Sequence, residues 1–212
     1  MPSLSERFLK LWNDIGAIGS PANIFADLVS RYSEPWRAYH TLAHIEAMFT
    51  EFDAFRGSEE AHFVDLSAVE MAVWYHDAVY DTHARDNEEK SATLFRIIAE
   101  CSFFTSGITE RVIKLILATK HSAASSDLDI ATLCDIDLAI LGQPEATLDE
   151  YERQIRKEYE WVPEAQFRAG RAAILESFLK RPTIYATKFF REKYENQARK
   201  NLACSIQQLN SN

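Results

Sequence analysis

Cysteine is scarce in this chain: Cys101, Cys134 and Cys204 are the whole supply, far apart and with no C-x-x-C pair. Such a set makes neither a disulfide framework nor a cysteine-rich zinc site, and reads as buried thiols in a reducing compartment. Glycine and proline are rare too, six of each among 212 residues, which excludes collagen-like and low-complexity architectures. No segment approaches the roughly 18 unbroken apolar residues of a membrane span. The start, MPSLSERFLKLW, has neither the basic head nor the apolar run of a secretory signal. A cytoplasmic protein with no membrane partner is the expectation. Positive charge is also short, 23 Lys and Arg against 32 Asp and Glu, for a formal net charge of -9. A field of that sign repels polyanions, so nucleic-acid polymers are not expected partners, whereas a small phosphorylated molecule in a local pocket is compatible with it.

What the chain has in quantity is helical patterning. Apolar residues make up 47%, enough for one substantial core. They recur at helical spacing: Leu4, Phe8, Leu11, Trp12 and Ile15, and again Val112, Leu115, Ile116 and Thr119. Start signals precede such stripes. Ser3-x-x-Glu6, Asp86-x-x-Glu89 and Thr147-x-x-Glu150 resemble capping boxes, and Pro21 after Ser20 suits a first helical position. Gly142 reads as a stop, and GSEE near Gly57 and HSAASSD near Ser122 read as loops. Without strand alternation, an all-α fold of nine or ten helices is expected, with residues 1–212 as one domain. The aromatic residues are expected mainly in its core, with His62 on the surface and His83 in a loop.

Ionisable groups inside apolar segments are the informative exception. His76 and Asp77 follow Trp74 and Tyr75 in AVEMAVWYHDAVY, and burying two such groups is costly unless a cation or hydrogen bonds compensate. Upstream, His40 and His44 stand at i, i+4, on one face if helical, with Arg37 extending that face. Downstream, Asp135 and Asp137 lie in the apolar LCDIDL. At i, i+2 they point to different sides, and whichever faces the core needs a partner. A cation shared with His44, His76 and Asp77 would supply one. Imidazole with carboxylate suits one divalent ion such as Mn, Fe, Co, Ni or Zn better than Mg.

The order His44, His76-Asp77, Asp137 resembles the H…HD…D signature of the HD-domain superfamily of metal-dependent phosphohydrolases. RYSEPWRAYHTLAHI, WYHDAVYDTHARDNEEKSA, TKHS and DIDLAILG are similar to a bacterial group of predicted phosphohydrolases within it, over residues 31–142. A helical extension, 147–209, continues the likeness in EYEWV, GRAAIL and ENQARKNL. The resemblance implies helices around one metal and a phosphomonoesterase, phosphodiesterase or nucleotide pyrophosphohydrolase activity on a small phosphorylated substrate, a nucleotide being favoured. It implies His44, His76, Asp77 and Asp137 as metal ligands, with Asp135 the fallback for the last. His40 matches the histidine that protonates the leaving oxygen in cyclic-nucleotide phosphodiesterase relatives. Asp81 matches the aspartate of the HDxxED run of guanosine-tetraphosphate hydrolases, whose glutamate is here replaced by Tyr80. Catalytic roles are thus expected for His40, Asp77 and Asp81, and substrate contacts for Arg37, Lys120 and His121. Glu88 is a candidate for orienting a ligand histidine, and Arg156, Glu158, Tyr159 and Arg171 for lining a pocket, with surface ion pairing the simpler reading for most of these four. Two other classes stay open: an HD-type di-iron oxygenase, which needs two more histidines where the chain offers His83 and His121, and a non-catalytic metal- or ligand-binding regulatory module.

Overall fold

Ser3 accepts a hydrogen bond from the Glu6 N–H while Glu6 reaches back to the Ser3 N–H, so the first expected capping box forms and starts α1, Leu4–Asp14. Its stripe buries Phe8, Leu11 and Trp12. Pro21 opens α2, Pro21–Tyr32. There follow α3 (Leu42–Arg56), α4 (Leu66–Tyr75), α5 (Asn87–Cys101), α6 (Ser106–Ala118), α7 (Leu128–Asp137), α8 (Glu145–Glu158), α9 (Glu164–Leu179) and α10 (Lys188–Asn210). Short 3₁₀ turns occupy Glu60–Phe63 and Leu138–Gly142. The computed structural model describes residues 2–121 and 125–211; among them all regular structure is helical. Part of the loop expected near Ser122, residues 122–124, lies outside the described residues.

Two of the expected start signals work differently. Asp86 caps no N–H and pairs with Lys90 instead. Helix α8 begins at Glu145 behind Pro144, two residues before Thr147, because proline fixes an extended approach and ends any preceding helix. GSEE runs partly into the Glu60–Phe63 3₁₀ turn. Gly142 does end its segment, for a packing reason: a Cβ there would lie 2.5 Å from the Tyr194 Cβ on α10. The cysteines depart from expectation, since Cys101 and Cys204 are exposed and only Cys134 is half-buried; all three are free.

Helix α4 is the axis of the fold. Ala68, Val69 and Met71 to Tyr75 are all buried, as befits a helix apolar on every side. It packs against α3, α6 and α7, and α3 also touches α7. Phe8, Phe25 and Phe49 crowd the Trp74 ring at centroid distances of 5.4, 5.9 and 4.7 Å. One continuous apolar core runs from Phe8 to Leu202. The result brings the first turn of α3 and the C-terminal ends of α4 and α7 to one place. Two helix C-termini carry partial negative charge there against one N-terminus, a balance that attracts cations.

Candidate metal centre

His44 lies in the first turn of α3 and His76 is the C-cap of α4, both buried. Asp77 follows in the turn after α4, and Asp137 is the last residue of α7. The pair His76-Asp77 therefore sits past the helix end rather than inside it. This frees Asp77 to turn towards its neighbour, which consecutive positions within a helix do not allow.

The donor atoms converge. His44 Nε2 and His76 Nε2 are 3.3 Å apart, and Asp77 Oδ2 is 3.0 Å from His76 Nε2. His44, His76 and Asp77 each offer a donor atom within 4.8 Å of the other two. Asp137 Oδ1 lies 3.4 Å from His44 Nε2 and 3.9 Å from His76 Nε2. Atoms that share one ion through bonds of about 2.0–2.2 Å sit roughly 3 Å from one another, so the spacing suits a single cation. The tautomer suits it as well. His76 Nδ1 donates to the Val73 carbonyl at 2.9 Å, leaving the Nε2 lone pair facing the cluster.

Without positive charge these lone pairs oppose each other, and the proton equilibria express that. Burial acts to lower His76, but Asp77 and Asp137 beside it raise it to about 9. Burial lowers His44, with Asp137 opposing. Burial acts to raise both carboxylates, yet the neighbouring histidines hold Asp77 and Asp137 below the ordinary range. A divalent ion would meet the same need with more charge, since its ligands bind it deprotonated.

Of the two aspartates in LCDIDL, Asp137 joins the cluster and Asp135 does not. Asp135 accepts from the N–H groups of Ala186 and Thr187 at 2.9 and 2.7 Å and from the Thr187 hydroxyl at 2.8 Å, at the start of α10. It is the more deeply buried of the two and is fully satisfied without an ion.

No protein-family model matches the chain, no curated protein matches it, and no solved structure matches it. The site therefore rests on its own geometry.

Beside the cluster opens a cavity of about 410 Å³ that His40, Asp77, His121 and Asp137 all reach. His40 lies in the turn ahead of α3 and shares no helical face with His44, because Thr41 is the N-cap. The two rings still stand 5.8 Å apart. His40 Nδ1 is 2.7 Å from Glu158 Oε2, and its Nε2 is 3.9 Å from Asp77 Oδ2. His121 Nε2 is 2.8 Å from Asp137 Oδ2. Burial acts to lower His121, and Asp137 raises it to about 10.

Three expected residues take other work. Arg37 is buried, and its guanidinium donates to the carbonyls of Asp77 (2.8 Å), His40 (3.0 Å) and Ala78 (3.4 Å) while pairing with Glu34. It closes the C-terminal end of α4 with four of its five N–H groups committed, and it does not line the cavity. Lys120 binds Glu89 at 2.5 Å, with Glu88 at 3.9 Å, and does not line the cavity. Asp81 is exposed, accepts from the His83 N–H of its own turn, and lies on a separate surface cleft where His83 stacks on Trp161.

Glu158 is the residue that sequence reasoning undervalued. It is buried, and one oxygen accepts from the N–H groups of Ala38, Tyr39 and His40 at 2.8, 2.8 and 3.0 Å. The other receives the Tyr80 hydroxyl at 2.9 Å and faces His40 Nδ1. Burial acts to raise Glu158, but His40 and these donors bring it down to about 2. Its only signal in the sequence is position at the end of α8, where a carboxylate opposes the helix dipole and needs a local reason to be there. Of its neighbours, Tyr159 and Arg171 line the cavity, whereas Arg156 pairs with Glu164.

Proposed function

We propose that this chain is a metal-dependent hydrolase acting on a phosphate ester or anhydride of a small molecule. The observation that carries the reading is the meeting of His44, His76, Asp77 and Asp137 at the wall of a cavity that also receives His40. The likeness of the same residues to the H…HD…D signature supports it. Those four side chains would hold a divalent cation, whose Lewis acidity would lower the pKa of a water towards about 7 and polarise a phosphoryl oxygen.

The chain's own groups supply the rest. Asp77, on the cavity wall, accepts one proton from the attacking water as the water oxygen bonds to phosphorus. The bond from phosphorus to the leaving oxygen breaks, and His40 gives that oxygen a proton through Nε2. Products are an alcohol, or the shortened phosphate, and the released phosphoryl group; Asp77 returns its proton to solvent and His40 regains one. Glu158 holds His40 by Nδ1, which directs Nε2 towards Asp77. His121 anchors Asp137 from the far side.

The test is metal analysis of the purified protein together with phosphate release from a panel of phosphorylated metabolites under Mn, Fe, Co, Ni and Zn. Asp77→Ala is expected to lose metal and turnover together, and turnover by a metal-free Asp77→Ala protein discards the mechanism. Two irons per chain would favour the oxygenase reading, to which His121 contributes a histidine but His83, stacked on Trp161, does not. Metal without turnover on any phosphate leaves a binding module.

A further inference from the structure

The cavity beside the metal centre is built for something other than charge. One face of α9 lines it, with Phe167, Gly170, Arg171, Ile174, Leu175 and Phe178 at steps of three and four. Tyr151 and Ile155 of α8 continue the wall, and Ile140 and Leu141 close it from below the cluster. Among the described residues the one Lys or Arg on the lining is Arg171, whose Nε and Nη2 donate to Glu152 at 2.9 and 2.8 Å. Arg37 and Lys120 are committed as described and lie off the lining, and of the lining carboxylates Asp77 and Asp137 belong to the metal cluster while Glu88 stands 3.9 Å from Lys120. Beyond the metal centre, a chain of phosphates entering here would meet apolar walls and a single guanidinium already paired with Glu152, not the cluster of guanidinium and ammonium groups that such sites use to hold polyphosphates. A volume of about 410 Å³ accommodates a small organic body.

Building on the hydrolase reading above, we propose that the substrate is a monophosphate ester whose alcohol is apolar or aromatic, the single phosphate lying at the metal centre and the alcohol against α8 and α9. Nucleoside diphosphates and triphosphates are then poor substrates. Hydrolysis breaks the one ester bond, with water supplying the oxygen to phosphorus and a proton to the departing alcohol.

The experiment has two arms that fail separately. In the first, naphthylethanol is titrated calorimetrically into the metal-free protein and into Gly170→Leu. A Cβ at Gly170 meets nothing within 4 Å, and leucine is the better helix former, so the variant is expected to fold while filling the cavity mouth. Naphthylethanol should bind, and the variant should weaken it by at least about tenfold, the scale on which apolar pockets discriminate. An unchanged thermal midpoint confirms that the variant is folded. In the second arm, kcat/KM is compared for naphthylethyl phosphate, glycerol phosphate and ATP, the first two being esters of primary alcohols. Naphthylethyl phosphate should lead by about tenfold or more.

Absent binding of naphthylethanol, or equal binding by folded Gly170→Leu, overturns the proposal whatever the turnover. A higher kcat/KM for ATP overturns it while keeping the hydrolase reading. Binding that responds to Gly170→Leu without phosphate release from any ester removes the hydrolase reading and keeps the apolar site.

Discussion

Replacing Glu158 by alanine removes the one acceptor shared by three consecutive N–H groups, the His40 ring and the Tyr80 hydroxyl. Hydrogen bonds to a charged acceptor contribute about 1.5–3 kcal/mol each, so five summed independently would exceed what single substitutions cost. Water will reach part of the exposed space, and a net loss of about 3–4 kcal/mol is expected, the upper end of the usual range. For a chain of this length each kcal/mol lowers Tm by about 2–4 °C, which gives a fall of about 10 °C. Glu158→Gln keeps an amide oxygen for the three N–H groups but loses the charge, and should cost about 2–3 kcal/mol at pH 7, with the loss concentrated at the ion pair.

The pH dependence separates the charge from the hydrogen bonds. The folded carboxyl is held at about 2, below its ordinary 4.5. Its contribution is therefore complete above pH 4.5 and is lost as pH falls towards 2, amounting to about 2–3 kcal/mol over that interval with allowance for solvent screening. Urea unfolding followed by circular dichroism at pH 7, 5 and 3 measures both effects. The gap between the parent chain and Glu158→Gln should narrow as pH drops from 5 to 3. A Glu158→Ala protein within about 1 kcal/mol of the parent at pH 7, or a gap that ignores pH, refutes the role assigned to this carboxylate.

Three further outcomes follow from the geometry. Adding a divalent ion at about 100 times its dissociation constant should stabilise the fold by about 2.7 kcal/mol, and a chelator should reverse it; a melting curve indifferent to both would remove the metal centre. Asp137→Ala should abolish metal uptake with modest loss of stability, whereas Asp135→Ala should keep the metal and lose about 2–3 kcal/mol by orphaning the donors at the start of α10; metal analysis with denaturation of both variants checks the pair, and the reverse pattern would exchange their roles. Gly142→Ala should cost about 2–3 kcal/mol, because its Cβ would press on the near end of Tyr194, where no side-chain rotation relieves the contact; an unaffected unfolding midpoint would contradict that packing.

How much was legible in the sequence follows from the range of each interaction. The 3.6-residue period, the Ser3 capping box and Pro21 are local facts, and the all-helical fold follows from them. The mismatch between His76, Asp77 and the aspartates and their apolar neighbours was legible too, since desolvation cost depends on composition nearby. Register within LCDIDL was not: Asp135 and Asp137 differ only in what lies across the fold, and α10, some fifty residues downstream, claims the first of them. Arg37 and Lys120 looked like phosphate ligands because a free cation and a committed one have the same sequence; only the tertiary structure places carbonyls and glutamates around them. Glu158 likewise gained its importance from the turn at residues 38–40, which packing alone delivers. Patterning along the chain thus determined the helices and named the ionisable residues, while long-range packing decided which of those side chains keep their lone pairs and charges available.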